Sequence, residues 1–151
     1  LRAFAPAGPP MRPPVAGEVS RRFGEDDRAG TPSEGLRVAA TPGAIVVAPF
    51  DGRIDFAGRF EGYGPVLIIG HGGGYHSLLA GLGRIDAGAG QWVLAGEPVG
   101  AMPRAEATGS DAGLFFEVRR ENGPLDPQPL FEKSGGRSGR DAEPTQDRVR
   151  E

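Results

Sequence analysis

An all-β domain is predicted by three features of this chain: its apolar runs are too short for helices, those runs are rich in β-branched and aromatic residues, and glycine and proline lie between them. The runs are Val19 to Phe23, Leu36 to Ala40, Ile45 to Ala48, Arg53 to Phe60, Pro65 to Ile69, Tyr75 to Leu79, Gln91 to Leu94 and Leu114 to Arg119. No window carries a helical period of useful length. The 26 glycines and 15 prolines are spread along the chain, so they read as turn punctuation. With 151 residues and 38% hydrophobic content the chain suits one domain with a modest core. That domain is expected over residues 15–131, Val15 to Phe131. It is entered through a proline-rich, extended arm over residues 1–14, with Pro9-Pro10 and Pro13-Pro14. Residues 132–151 are expected to form a mobile charged tail, because Ser134 to Glu151 holds almost no apolar residue to offset the entropy of ordering.

The turns follow from residue chemistry. Thr41-Pro42-Gly43 offers proline where a tight turn fixes φ and glycine where φ is positive. Phe50-Asp51-Gly52 predicts a hairpin between Ile45-Val46-Val47 and Ile54-Asp55-Phe56. His71-Gly72-Gly73-Gly74 predicts a second hairpin leading into Tyr75, with His71 a hydrogen-bonded turn residue, and Glu121-Asn122-Gly123 turns the last long strand. Trp92 follows a polar turn and precedes Val93-Leu94, which assigns it to the core.

Composition removes several function classes. Net charge is −3, with 17 basic and 20 acidic residues, so no field favours nucleic acid. The absence of cysteine removes disulfides, thiolate metal sites and a cysteine nucleophile. No apolar stretch approaches the roughly 20 residues that span a bilayer, so direct membrane insertion is not expected. The start at Leu1 rather than Met suggests a processed product or an excised fragment.

A set of short motifs then occurs in a fixed order. It comprises Gly35-Leu36; Ile45 to Ile54 with Ala48-Pro49-Phe50-Asp51-Gly52 at its centre; Gly62-Tyr63-Gly64; His71 to Tyr75; Gly96-Glu97-Pro98-Val99-Gly100; and Phe116-Glu117-Val118-Arg119 followed by Asn122-Gly123 and Asp126-Pro127. The series resembles the LytM, or lysostaphin-type, metallopeptidase domain over about Val15 to Phe131. The implied fold is an antiparallel, barrel-like β-sheet domain of the duplicated hybrid motif type, with a groove and long loops. Ala57-Gly58-Arg59-Phe60, Leu78 to Leu82 and Trp92 to Gly100 are similar to the EnvC-type members, whose domain activates a murein hydrolase.

Active members of that family hold one zinc through H-x-x-x-D and H-x-H motifs, with a further catalytic histidine. Matched residue by residue, the first motif falls on Ser33 and Arg37, the second on Gly113 and Phe115, and the further histidine on Gly81. None of these offers the side-chain lone pair of a good zinc ligand, and Arg37 carries a fixed cation. His71 and His76 lie five apart without a spaced third ligand. No metal, cofactor or catalytic residue is therefore expected.

Strand alternation gives the groove its lining. With Leu114, Phe116 and Val118 inward, Gly113, Phe115, Glu117 and Arg119 share the groove face; with Leu36, Val38 and Ala40 inward, Ser33 and Arg37 join them. Aromatic and arginine side chains around an apolar cleft suit an amphipathic helix. The resemblance implies the partner, a regulatory helix of a periplasmic N-acetylmuramoyl-L-alanine amidase. It also implies the contact positions, Glu34, Arg37, Tyr63, Phe115 and Arg119. Glu34 and Arg37 depart from that branch, where a basic and an apolar residue are familiar. Each position has a plainer alternative: Phe115 as core, Tyr63 packed on the sheet, Arg119 bridged to Glu117 or Glu121, and Arg37 filling the lost metal site. Glu34 falls on the Leu36 side unless the strand begins after it. The resemblance further implies a periplasmic setting, peptidoglycan as a second partner, and indirect coupling to a cell-division ABC transporter through a coiled coil that this sequence lacks. Two other functions stay open, a zinc endopeptidase of peptidoglycan cross-links and a murein-binding module without turnover.

Overall fold

The computed structural model describes residues 1–105 and 112–132. The tail expected from residue 132 onward lies outside these apart from Glu132. The strands are β1 (Glu18–Arg21), β2 (Leu36–Ala39), β3 (Ile45–Val47), β4 (Gly52–Phe60), β5 (Gly64–Gly72), β6 (Tyr75–Ala80), β7 (Arg84–Ile85), β8 (Trp92–Val93), β9 (Pro98–Ala101), β10 (Leu114–Arg120) and β11 (Gly123–Leu125), followed by one short helix, α1 (Gln128–Glu132). An 8-stranded sheet runs β1-β2-β10-β6-β5-β4-β8 with β11 beside β10, and a 3-stranded sheet runs β3-β9-β7. Among the described residues all pairings are antiparallel, and the large sheet is open rather than closed into a barrel.

Alternation sets which face is core. Leu114, Phe116 and Val118 of β10 are buried, as are Leu36 and Val38 of β2, Ile54 of β4, Leu67 and Ile69 of β5, and Leu79 of β6. All of these side chains but Leu36 cluster with Val46, Val99 and Phe50 beneath the sheet. The opposite face of β2, β10, β6, β5 and β4 is left uncovered by the small sheet, and it carries the cleft described below.

Three sequence expectations are corrected. Phe50-Asp51-Gly52 is not a hairpin: β3 pairs with β9 and β4 with β5 and β8, so the segment crosses between sheets. Asp51 is buried there, accepting hydrogen bonds from the Arg2 backbone, the Arg2 guanidinium and Ala95 N–H. Trp92 is not core but 60% exposed. It stands opposite Arg53 on the outer face of a two-residue edge strand, while its neighbour Val93 points inward opposite Gly52. His71 lies within β5 rather than in the bend, which is made by Gly72, Gly73 and Gly74, all with positive φ. The segment 1–14 has no helix or strand, yet it contributes to the core through Phe4 and Met11, each 2% exposed. Phe4 packs edge-on to Phe50 and Tyr75 at 5.1 and 5.2 Å, and its N–H donates to the His71 carbonyl. Helix α1 went unforeseen because five residues are too few to show a period; Asp126 Oδ1 caps it at Gln128 N–H.

Candidate functional site: a metal-ligand-poor cleft on the outer sheet face

Cross-strand register arranges the outer face into rungs. In the first, Phe115 stands between Arg37 and Ala80, and Ala80 faces Val66. The second reads Glu117, Leu78, Ile68, Phe56. The third reads Arg119, His76, Gly70, Arg53, Trp92. Over the first two rungs lies a cleft of about 600 Å³ with Ile68, Leu78 and Val66 as floor. Phe56, Phe60 and Tyr63 form one wall; Ser33, Glu34, Arg37 and Phe115 form the other.

Each expected groove residue has a definite place. The Arg37 guanidinium lies over the Phe115 ring at 5.3 Å from its centroid, a cation–π contact. Glu117 is 7% exposed on this face, and its carboxylate accepts a hydrogen bond from Arg119. Arg119 also reaches Glu34 at 3.5 Å, and the bond from Glu117 raises its already high pKa. Arg119 therefore bridges Glu117 and Glu34 rather than Glu121. Glu34 precedes β2, so strand parity does not bind it and it turns to the cleft. Tyr63 sits in the β4–β5 turn, 63% exposed, tilted against Phe60 at 5.9 Å rather than lying on the sheet.

Phe56 and Phe60 were not among the sequence-expected contacts. Phe56 has the same parity as core Ile54, which places it inward. A β-bulge at Asp55 breaks that parity: Ile54 pairs with Ile69 and Phe56 with Ile68, so Phe56 swings to the outer face and meets Phe60 edge-on at 6.1 Å. Asp55 shares the outward parity of Arg53, so no local signal marked the bulge. Phe60, 56% exposed just before a glycine turn, was legible as an exposed aromatic.

The five positions matched to zinc and catalytic residues converge on this end of the face. Ser33, Arg37 and Phe115 line the cleft, and Gly81 joins Arg37, Tyr63 and Phe115 in an adjoining hollow. Gly113 abuts Gly81. The residues present do not fit a metal. Beyond the lack of donors, both glycines are held at positive φ, +98° at Gly81 and +97° at Gly113. A Cβ at Gly113 would stand 2.3 Å from the Val38 carbonyl oxygen, and one at Gly81 would stand 2.7 Å from the Gly113 carbonyl oxygen. No histidine is accommodated at either without moving backbone. Among the described residues no cluster of three or more His, Cys, Asp and Glu is placed to hold a metal ion. His71 is buried, its Nδ1 2.8 Å from the Asp51 carbonyl oxygen and its Nε2 hydrogen-bonded to Ser77 Oγ, and burial pushes its pKa down. His76 is on the outer face beside Asp55. An apolar, aromatic-walled cleft with charged rims remains, chemistry suited to gripping a side-chain row rather than polarising a carbonyl.

Comparison with known proteins agrees with this architecture. The description "Peptidase family M23" matches residues 31–127. Murein hydrolase activator EnvC of Escherichia coli (strain K12) is 33% identical over 116 residues, covering 77% of this chain and 27% of its own length. Murein hydrolase activator NlpD of Salmonella typhimurium is 32% identical over 116 residues, covering 76% of this chain and 29% of its own. This chain thus spans under a third of the length of either relative. The crystal structure of Helicobacter pylori Csd3 superposes with a TM-score of 0.70 at 25% identity, covering 83% of this chain and 36% of that one. The chain belongs to peptidase family M23 and, by these relatives, to its EnvC- and NlpD-type branch.

Proposed function

We propose that this domain is a non-catalytic activator of a periplasmic N-acetylmuramoyl-L-alanine amidase, whose regulatory helix docks in the cleft during cell separation. One observation carries the reading: the positions matched to zinc ligands form instead a wall of Phe115 and Arg37 facing Phe56, Phe60 and Tyr63 across an apolar floor. An amphipathic helix lays residues at i, i+3, i+4 and i+7 into such a cleft, and the aromatic side chains are its anchors. The relatives named murein hydrolase activators support the same role.

Activation is then a population shift. The cleft binds the helix only when it has left the amidase's own site, so binding favours the open enzyme. Moving that enzyme from about 1% to about 99% open takes a differential affinity of roughly 10⁴-fold, within reach of a few buried aromatic anchors. No bond is made or broken by this chain. Among the described residues no helix is long and apolar enough to cross a membrane.

The deciding experiment mixes the purified domain with a dormant amidase on dye-labelled sacculi. Release only when both are present supports activation. Release by the domain alone marks an endopeptidase, and wall binding without any release marks a murein-binding module; either result overturns the proposal.

A further inference from the structure

Two carboxylates at one end of the cleft share a single cation. Arg119 Nη1 donates to the nearly buried Glu117 carboxylate and also stands 3.5 Å from Glu34 Oε1, longer than a good hydrogen bond. Other carboxylates are better matched: Asp51 has Arg2, Asp86 has Arg84, and Asp55 lies within reach of both Arg53 and His76. Glu34 and Glu117 thus leave their end of the cleft with one negative charge in surplus, and the Glu34 side chain is 62% exposed. The backbone builds this placement. Gly35 lies so close to β10 that a Cβ on it would stand 2.4 Å from the Phe116 carbonyl oxygen and 3.1 Å from Glu117 Cα, and the Ser33 hydroxyl donates to the Gly35 carbonyl across the turn that carries Glu34. Further along the same wall Arg21 and Asp27 offset each other, and the Arg37 cation lies one rung away over the Phe115 ring. The cleft is therefore polarised along its length, anionic at Glu34 and cationic at Arg37.

We propose, building on the helix docking described above, that the docked helix carries a lysine or arginine one turn beyond its apolar stripe, set against Glu34 and Glu117. The aromatic wall gives the spacing. From Phe60 to Phe56 it runs four residues of β4, about 13 Å of strand or roughly nine residues of helix. An apolar stripe of about that length ends at the rung of Phe56 and Glu117, and the next helical turn falls toward Arg119, where Glu34 stands. A long basic side chain suits this position, because its stem covers apolar floor while its charged head reaches the rim. An acidic side chain there meets the surplus charge and is repelled, and a neutral one leaves it unanswered. Charge at this end thus selects among amphipathic helices that the apolar floor alone would accept alike.

The probes are labelled synthetic amphipathic helices with one leucine stripe, carrying Lys, Gln or Glu one turn beyond its N-terminal or its C-terminal end, titrated with the domain by fluorescence anisotropy. Lys at one of the two ends is expected to tighten binding about fivefold over Gln, and Glu there to weaken it. The end that responds gives the direction of the helix, and the gain is expected to shrink in about 0.5 M salt. Glu34→Gln and Glu117→Gln each cancel the surplus charge, so both are expected to bind the Lys and Gln peptides alike, whereas Glu34→Lys is expected to prefer Glu. Glu34 is exposed, so its variants are expected to fold as the wild type does. Phe56→Ala is expected to weaken every peptide without changing their order. Equal binding of the Lys and Gln peptides at both ends, or a Lys gain that survives Glu34→Gln, overturns the charge assignment and leaves helix docking standing. Binding of none of the peptides overturns helix docking and the charge assignment with it.

Discussion

Neighbouring residues Phe115 and Phe116 are the same side chain with opposite duties. Phe116 is fully buried and stacks on Phe131 at 5.8 Å, so Phe116→Ala is expected to cost about 3–5 kcal/mol of stability. Phe115 lines the cleft half-buried beneath Arg37. Phe115→Ala is expected to cut amidase activation about tenfold or more with a stability loss under about 1 kcal/mol. Sacculus dye release and urea unfolding of both variants check the contrast; a larger stability loss for Phe115→Ala than for Phe116→Ala would move the ring into the core. Four residues past Phe115, Arg119 is the partner of a nearly buried carboxylate. Arg119→Ala strands Glu117 and is expected to cost about 1 kcal/mol, discounted because Arg119 itself is half exposed. The double change Glu117→Leu with Arg119→Met is expected to recover most of that, because no buried charge then remains; unfolding midpoints of the two variants decide it.

At the scale of elements, what was legible in the sequence follows from where strand parity holds. It holds through β2 and β10, so the inward set Leu36, Val38, Leu114, Phe116 and Val118 and the outward set Arg37, Phe115, Glu117 and Arg119 could be read from alternation alone. It fails in β4, where the bulge at Asp55 reverses Phe56, and a bulge leaves no mark in the alternation that precedes it. It was never tested at Trp92, because a two-residue edge strand offers no alternation to count. The Phe50-Asp51-Gly52 segment misled because its hairpin signature is local, whereas its partners Arg2 and Ala95 come from 49 and 44 residues away. The β2 and β10 ends also explain why the metal positions cannot simply be refilled. Gly43, with φ of +77° and open space around its Cβ, is a fair control: Gly43→Ala is expected to cost about 1 kcal/mol for the left-handed backbone alone. Gly113→Ala adds the collision with the Val38 carbonyl and is expected to cost at least about 2 kcal/mol more. Equal midpoint shifts for the two alanine variants would show that the backbone at Gly113 yields easily.

For the whole molecule, the strap formed by residues 1–14 and the crossing between sheets meet at one buried hub. The Asp51 carboxylate holds Arg2 and Ala95, its carbonyl faces His71 Nδ1, and Phe4 packs on the adjoining Phe50. This hub makes stability pH-dependent in two stages. Burial depresses the His71 pKa, so the folded state keeps the ring neutral while the unfolded chain takes up a proton below about 6.5. Stability therefore falls as pH drops from that point toward the folded value. The hydrogen bonds from Arg2, followed by that from Ala95, hold the Asp51 carboxyl well below the usual carboxylate range, against the opposing effect of burial. Its contribution is complete above about 3.9, the unfolded value, and is lost as pH falls further toward the folded one. Urea midpoints are thus expected to be level above about pH 7, to decline as pH falls below about 6.5, and to drop steeply below about 4. Asp51→Asn is expected to lower the neutral-pH midpoint and to weaken the steep acid limb, because the group that lost its charge there is gone. Arg2→Ala is expected to act in the same direction through the same carboxylate. An acid limb unchanged in both variants would place the pH sensitivity elsewhere and free the strap from its role as a clamp on the fold.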